Sequence, residues 1–428
     1  MKTTSMKFLA AWLVVFVVFW FGCASHSSHV IQFPKPEPLL TLEPAEFKPV
    51  ALRLPTKIST TPGMHSGVSL VAVGDVMLGS WVTRHLDQEG STYPFESTRH
   101  ILQAAHIATA NLEAPFTDRG TAVADKEYTF RVPPRHAIGL KESGFDVLHL
   151  ANNHFLDFGP EGLFDTIAIL DSLELAHVGA GENIAAAFAP VILEREAPDG
   201  QTLRFGFLGF SMTHPEEFYA TKTTPGTAFP YWNRYLAALD SLAPKVEVMV
   251  VSFHWGAEKM VVPKPYQIEM AHVAIEHGAD IVLGHHPHVL QGIELYRPRA
   301  LARPGLIAYS LGNFAFGSYS RSSRFSMILK CIVDAEGLVY ARCLPINVFN
   351  DEVEFQPKLL EGAAATAVID SVNALSRHLN NGRNILSPDG FVIPAEEIAL
   401  SARTTTVDDM TAQTEPAKSS GLESTKPR

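Results

Sequence analysis

Short apolar runs and longer stretches of helical period alternate through most of the chain. Residues 68–73, 106–110, 146–151, 246–253 and 280–283 are apolar runs that stop at Gly, Asp, Asn or His, as buried strands do. Residues 160–173 and 265–277 lie between such runs and read as helices. This alternation predicts an α/β fold built from βαβ units, with helices covering the sheet. Past residue 306 the pattern changes to strands and a hairpin, over 306–311, 325–333 and 338–345. A helix over 358–379 follows and is expected to pack on the outside. No internal repeat is present.

The flanks behave differently. Residues 24–67 are rich in Pro, Ser, Thr and His, include Pro34-Lys35-Pro36-Glu37-Pro38, and have no sustained period, so they read as an extended tether. Residues 402–428 are polar and Thr/Ser-rich, and disorder is expected there. The expected organisation is a targeting segment (1–23), the tether, a main domain over 68–350, a helical extension over 351–401 and the tail.

In the targeting segment Lys2 and Lys7 precede an unbroken apolar run from Phe8 to Gly22. A spanning helix needs about 20 apolar residues; this run is shorter, as the cores of signal peptides are. It ends at Gly22-Cys23, which resembles a bacterial lipoprotein box, although Trp20 and Phe21 are bulkier than that box usually carries. Export and lipoprotein-type attachment at the outer face of a membrane are therefore expected. Cleavage after Ala24 and retention of the run as an anchor are the alternatives.

Composition adds two exclusions. The 428 residues carry a net charge of −11 with no acidic or basic blocks, which argues against a nucleic-acid partner but leaves room for a divalent cation. The three cysteines form no zinc motif. Cys331 and Cys343 flank the turn Asp334-Ala335-Glu336-Gly337. With those four residues as the loop, Val333 faces Leu338 and Cys331 faces Tyr340. That register sends Cys343 to the opposite face, and no disulfide is expected.

Candidate chemistry lies at the ends of the strands. The five apolar runs lead into Gly74-Asp75, Asn111-Leu112-Glu113, Asn152-Asn153-His154, His254-Trp255-Gly256 and Gly284-His285-His286-Pro287-His288. Sites in open α/β sheets form at the carboxyl ends of strands, so residues distant in sequence can meet there. Imidazole, carboxylate and amide donors without thiolate suit divalent Zn, Mn or Fe. Pro287 stiffens the turn that lets His286 and His288 face one pocket.

Together with Val76-Met77-Leu78-Gly79, Tyr128-Thr129-Phe130-Arg131, Leu150-Ala151, Asp157-Phe158-Gly159, Val289-Leu290-Gln291 and Ser310-Leu311-Gly312-Asn313-Phe314, these motifs resemble the capsule-synthesis protein CapA family. Its members are also called poly-γ-glutamate synthesis accessory proteins, and the family is similar to the calcineurin-like metallophosphoesterases. The resemblance covers residues 69–317 and implies a four-layer α-β-β-α sandwich. It also implies metal ligation by Asp75, Glu113, Asn153, His254, His286 and His288, with His154 as acid or transition-state donor. Two departures from the phosphoesterase pattern stand out. Met77 replaces a second ligand two residues past Asp75, and Glu113 replaces the usual bridging Asp. One or two ions are therefore expected.

The implied function is synthesis, export or attachment of an anionic exopolymer, through metal-assisted hydrolysis of a phosphoester or γ-glutamyl bond. Capsule-synthesis membrane proteins would be the partners. A non-catalytic accessory role with a relic metal site is the alternative. Around the metal, Asp157 either orients His154 or caps a local turn. Arg131 either holds an anionic substrate group or is simply solvated. Asn313 either supports the site or closes a turn.

Overall fold

The structure, a computed structural model, describes residues 67–298 and 303–393. The targeting segment, nearly all of the tether and the C-terminal tail lie outside the described residues. The strands, in chain order, are β1 (Val68–Met77), β2 (Ile107–Leu112), β3 (Val147–His149), β4 (Ala176–Val178), β5 (Ala180–Gly181), β6 (Val191–Glu196), β7 (Thr202–Ser211) and β8 (Gly226–Thr227). They continue with β9 (Val248–His254), β10 (Ile281–His285), β11 (Ile293–Tyr296), β12 (Gly305–Ala308), β13 (Asn313–Phe316), β14 (Phe325–Asp334), β15 (Gly337–Asn347) and β16 (Lys358–Leu359). Each expected strand forms, and the β6–β7 hairpin adds to them.

One sheet runs β16-β15-β14-β1-β2-β3-β4, with β13 also paired to β1; a second runs β11-β12-β10-β9-β7-β6. The runs β1-β2-β3-β4 and β7-β9-β10-β12 are parallel; antiparallel strands flank the first on its β1 side and the second on both sides. The short β5–β8 pair stands apart.

Side-chain alternation at period two assigns the layers. Val68, Leu70 and Ala72 of β1 share a core with Phe205 and Phe207 of β7, Val248 and Val250 of β9, and Ile281 and Leu283 of β10. The two sheets therefore pack face to face. The other face of β1, through Val71 and Val73, meets Val82 and Leu86 of helix Trp81–Glu89 and Leu163 and Leu170 of helix Gly159–Ser172. On the far side of the second sheet, Met249, Val251 and Val282 meet Tyr235 and Leu239 of helix Trp232–Leu242 and Met270 and Ala274 of helix Pro265–Glu276. Three cores between four layers make an α-β-β-α sandwich, as the resemblance implies.

Two expectations are corrected. The last helix begins at Gly362 rather than 358, because Lys358–Leu359 pairs with β15 as β16. This helix does pack on the outside with one face exposed. Val368, Ile369 and Val372 enter the core between the two sheets, where each buried side chain is worth about 1.5–3 kcal/mol. In the β14–β15 hairpin, Val333 does oppose Leu338, but a bulge between Ile332 and Val333 sets Cys331 opposite Ala341, not Tyr340. Cys343 thus shares the face of Cys331, and both join the inter-sheet core as free thiols. Burial pushes both thiols up, Cys343 to about 12.

The centre of the first sheet carries the decisive irregularity. The β1–β2 register shifts between Ala72 and Asp75, and Asp75 then lies beside both Asn111 and Asn313. Gly74 permits this, since a Cβ there would sit 1.9 Å from the Gly312 carbonyl oxygen. Gly74→Ala should force β13 away from β1 and lower the unfolding free energy by about 2 kcal/mol or more. Urea unfolding of the variant beside the wild type measures it.

Candidate metal centre

Each of the five strand ends delivers its polar residues to one place. Asp75 lies near the end of β1, Glu113 directly follows β2, Asn152 to His154 follow β3, and His254 ends β9. His285 ends β10, and the next turn holds His286 at φ 93 and His288 at φ 55. Left-handed backbone at a residue with a side chain costs of order 1–3 kcal/mol. Here it aims both rings inward: the His286 ring centre is 4.8 Å from that of His254 and 6.0 Å from that of His288.

Buried amides and imidazoles hold the two carboxylates. Asn111 Nδ2 donates to Asp75 Oδ1 at 2.9 Å and to Glu113 Oε2 at 3.2 Å, and Asn111 Oδ1 accepts from Asn152 Nδ2 at 3.1 Å. His285 Nδ1 is 3.1 Å from Asp75 Oδ1, and His288 Nδ1 is 3.1 Å from Asp75 Oδ2. The His286 backbone N–H donates to Asp75 Oδ2 at 3.3 Å. His254 Nε2 is 2.8 Å from Asn153 Oδ1 and 3.8 Å from Glu113 Oε1.

Electrostatics divide the pair. Burial would raise Asp75, but its contacts with His285 and His288 outweigh it and hold the carboxyl well below the usual range. Glu113 is pushed well above that range by burial and then by the charge of Asp75. Burial, reinforced by the neighbouring rings, lowers His254 strongly and His286 to about 3. Both rings are therefore held toward the neutral state, in which histidine ligates metal.

Two overlapping ligand triads result. Donor atoms of Asp75, Glu113 and His254 lie within 4.8 Å of one another, and so do those of Glu113, His286 and His288. Glu113 belongs to both. Its Oε1 is buried with no hydrogen-bond partner, as is His286 Nδ1. Orphaned buried polar atoms cost about 1–3 kcal/mol each, and a divalent cation would satisfy both. The residues present fit the ion. Asn153, against His254, is placed to join them. Met77 is not: its side chain sits in the outer core of the first sheet, with Sδ 3.2 Å from the Gly79 backbone N.

Beside the triads stands a second group. His154 Nδ1 is 2.7 Å from Asp157 Oδ2, and the ring lies 4.4 Å from that of Phe130. Burial lowers His154 despite the Asp157 carboxylate. Asp157 orients the ring and also accepts from the Phe130 backbone N–H at 2.6 Å. Asn313 is buried behind the site, with Oδ1 2.9 Å from His288 Nδ1, so it positions that ring. Arg131 is exposed and stacks its guanidinium over Phe158 at 4.6 Å. Trp255 packs on Phe253 away from the cleft.

Sequence reasoning assigns no role to Asn111, Asn152, His285 or Lys126. Two are readable from strand parity: Asn111 shares a face with Glu113, and His285 shares one with Ile281 and Leu283. Lys126 comes from a loop without period, and nothing in its neighbourhood marks it.

Residues 69–318 match the model of the bacterial capsule synthesis protein PGA_cap family. The chain belongs to that family. The capsule biosynthesis protein CapA of Bacillus anthracis is 31% identical over 288 residues, covering 66% of this chain and 67% of the relative. The PGA biosynthesis protein CapA of Bacillus subtilis (strain 168) is 31% identical over 277 residues, covering 64% and 70%. Among solved structures, the sulfate thiohydrolase SoxB of Thermus thermophilus aligns with TM-score 0.37 at 13% identity, over 73% of this chain and 61% of that one. The protein TT1561, also of Thermus thermophilus, aligns with TM-score 0.34 at 12% identity, over 64% and 97%.

Burial and Asp75 raise Glu113, so a divalent ion bound there would displace its proton more often than from an ordinary carboxyl, and apparent affinity should rise with pH. Titration calorimetry with Mn or Zn in buffers of different ionisation enthalpy should read that release. Glu113→Gln should lose both the release and nearly all bound metal, as read by elemental analysis.

Proposed function

We propose that the chain is a metal-dependent hydrolase acting on an anionic exopolymer, poly-γ-glutamate or capsule, during its synthesis, export or attachment. The observation that carries this reading is the His154–Asp157 pair set beside the two ligand triads. A structural metal site needs no such pair. The relatives named for capsule and PGA biosynthesis support the polymer.

Asp75, Glu113, Asn153, His254, His286 and His288 would hold a divalent ion, which would supply Lewis acidity and lower the pKa of water. The chain's own residues do the rest. His154 donates to the leaving group or to developing oxyanion charge, and Asp157 holds its ring in place. Asn313 keeps the His288 ring oriented for ligation. Arg131, exposed on Phe158, is available to an anionic group of the substrate.

An accessory, non-catalytic role is the second reading, and Met77 favours it, because a thioether turned into the core removes one expected ligand position. His154→Ala separates the two. A hydrolase loses its activity on phosphoesters or γ-glutamyl amides by on the order of 10²–10⁴-fold, with metal content unchanged. A variant that still sustains polymer production in cells would point to the scaffold.

The same reading includes attachment at the outer face of a membrane, lipoprotein-type through Cys23, near capsule-synthesis membrane proteins. It is supported by Lys2, Lys7 and the apolar run to Gly22. Cys23→Ser should shift the protein from the detergent phase to the aqueous phase on Triton partitioning. Unchanged partitioning would remove lipidation from the proposal.

A further inference from the structure

The exposed apolar side chains gather at one end of the sandwich. Trp81 follows β1, Tyr128 lies in the connection from β2 to β3, Met260, Val261 and Val262 follow β9, and Tyr319 follows β13. Each of these segments leaves a strand at the end where the metal centre forms. The six side chains are between 40% and 64% exposed. The described connections at the opposite end, residues 104–106, 144–146, 173–175, 197–201, 245–247, 277–280 and 334–336, expose no large apolar side chain. The end that carries the cleft is therefore the end with an apolar rim.

Backbone and side-chain bonds hold this rim in position. The Lys259 backbone N–H donates to the Pro287 carbonyl oxygen at 2.8 Å, and Gln291 Nε2 donates to the Met260 carbonyl oxygen at 2.8 Å. Lys259 Nζ donates to Ser323 Oγ at 2.6 Å, which ties the loop to the segment carrying Tyr319. The Tyr319 ring lies 6.2 Å from that of Trp81. Met260, Val261 and Val262 thus stay exposed on an anchored loop, bracketed by Lys259 and Lys264, with Glu258 the one acid of residues 257–265.

The chemistry of the rim selects its occupant. A polyanion needs counter-charge, which Met, Val and Trp do not offer; the cation inside the cleft is Lys126, whose Nζ donates to the Asn153 carbonyl oxygen at 2.6 Å and pairs with Asp157. A second copy seated there would set two chains of net charge −11 against each other. A bilayer suits every part. The apolar tip enters the acyl boundary, Trp and Tyr rings sit at headgroup level, and lysines meet lipid phosphate. We infer that the rim around the metal centre docks on a lipid surface, with residues 260–262 inserted and the cleft opening at the headgroups.

The inference rests on the proposed attachment through residue 23, which keeps the domain close to the bilayer and makes a weak contact effective. Val68 starts β1 at the end away from the rim. Residues 24–67 can span about 150 Å at full extension, several times the roughly 33 Å of β1, so the attachment lets this end turn to the membrane.

The test uses the full-length protein in vesicles of phosphatidylethanolamine and phosphatidylglycerol that contain nitroxide-labelled lipid as quencher. Val261→Cys carries a bimane fluorophore. Cys331 and Cys343 are buried, and the parent protein without the substitution gives the background label. Bimane at position 261 should lose fluorescence to the quencher, and so should bimane on Trp81→Cys. Bimane on Phe164→Cys, exposed on the outer helix Gly159–Ser172, should keep its fluorescence.

Vesicle-bound protein whose rim labels stay bright overturns the inference and leaves the attachment standing, with a protein partner or a second copy on the rim instead. Equal quenching at position 164 also overturns it, because the contact then has no orientation. Protein that does not float with the vesicles overturns rim docking and the attachment together. If Val261→Cys does not fold, Trp81→Cys decides.

Discussion

Asp75 and Glu113 occupy one pocket, both fully buried, with imidazoles and amides around them. Two carboxylates this close, away from water, do not both ionise unless a cation joins them. Asp75 takes the charge because His285, His288 and the His286 backbone N–H all converge on it. Glu113 is left with an unmatched oxygen facing His254 and His288. This buried carboxylate pair, with one oxygen of Glu113 left unmatched, is the constraint around which this end of the molecule is built.

Meeting that constraint distorts the backbone. β1 slips register, Gly74 lets β13 approach within contact, and two histidines adopt left-handed conformations around Pro287. Such strain persists only where the surroundings over-determine it. The surroundings here are the parallel centres of two sheets, clamped by a shared core and covered by helices on both outer faces. The side chains at risk of disorder therefore sit on the most rigid elements available, and Asn111, Asn152 and Asn313 lock them from behind.

The chain announces its strand ends clearly. Asp75, Glu113, Asn153, His154, His254, His286 and His288 each follow an apolar run, and each reaches the cleft. The four-layer arrangement comes from family resemblance; periodicity alone implies only a helix-covered sheet. Parity within β2 and β10 adds Asn111 and His285. Other features are beyond any local pattern. A single inserted residue at the β14–β15 bulge reverses the face of Cys343 relative to the simple hairpin register. Helix Gly362–Ser376 shows its apolar face equally well whatever it packs on, and only tertiary packing places that face in the seam between sheets. Lys126 is one loop lysine among others until Asp157 and Asn153 come to meet it.

The connectivity of the first sheet also governs the order in which the protein can assemble. β1 is the first described strand, yet it pairs Val68 with Val333 and Asp75 with Asn313, partners made long after it. Contacts so distant in sequence are slow to form, and the entropy of closing the intervening loop must be met before any of them stabilises the chain. A nascent chain emerging N-terminus first holds one edge of its central strand unpaired until the last third has been synthesised. The sandwich is then completed from its C-terminal side. Delayed closure leaves an apolar strand exposed to aggregation until its C-terminal partners have been made.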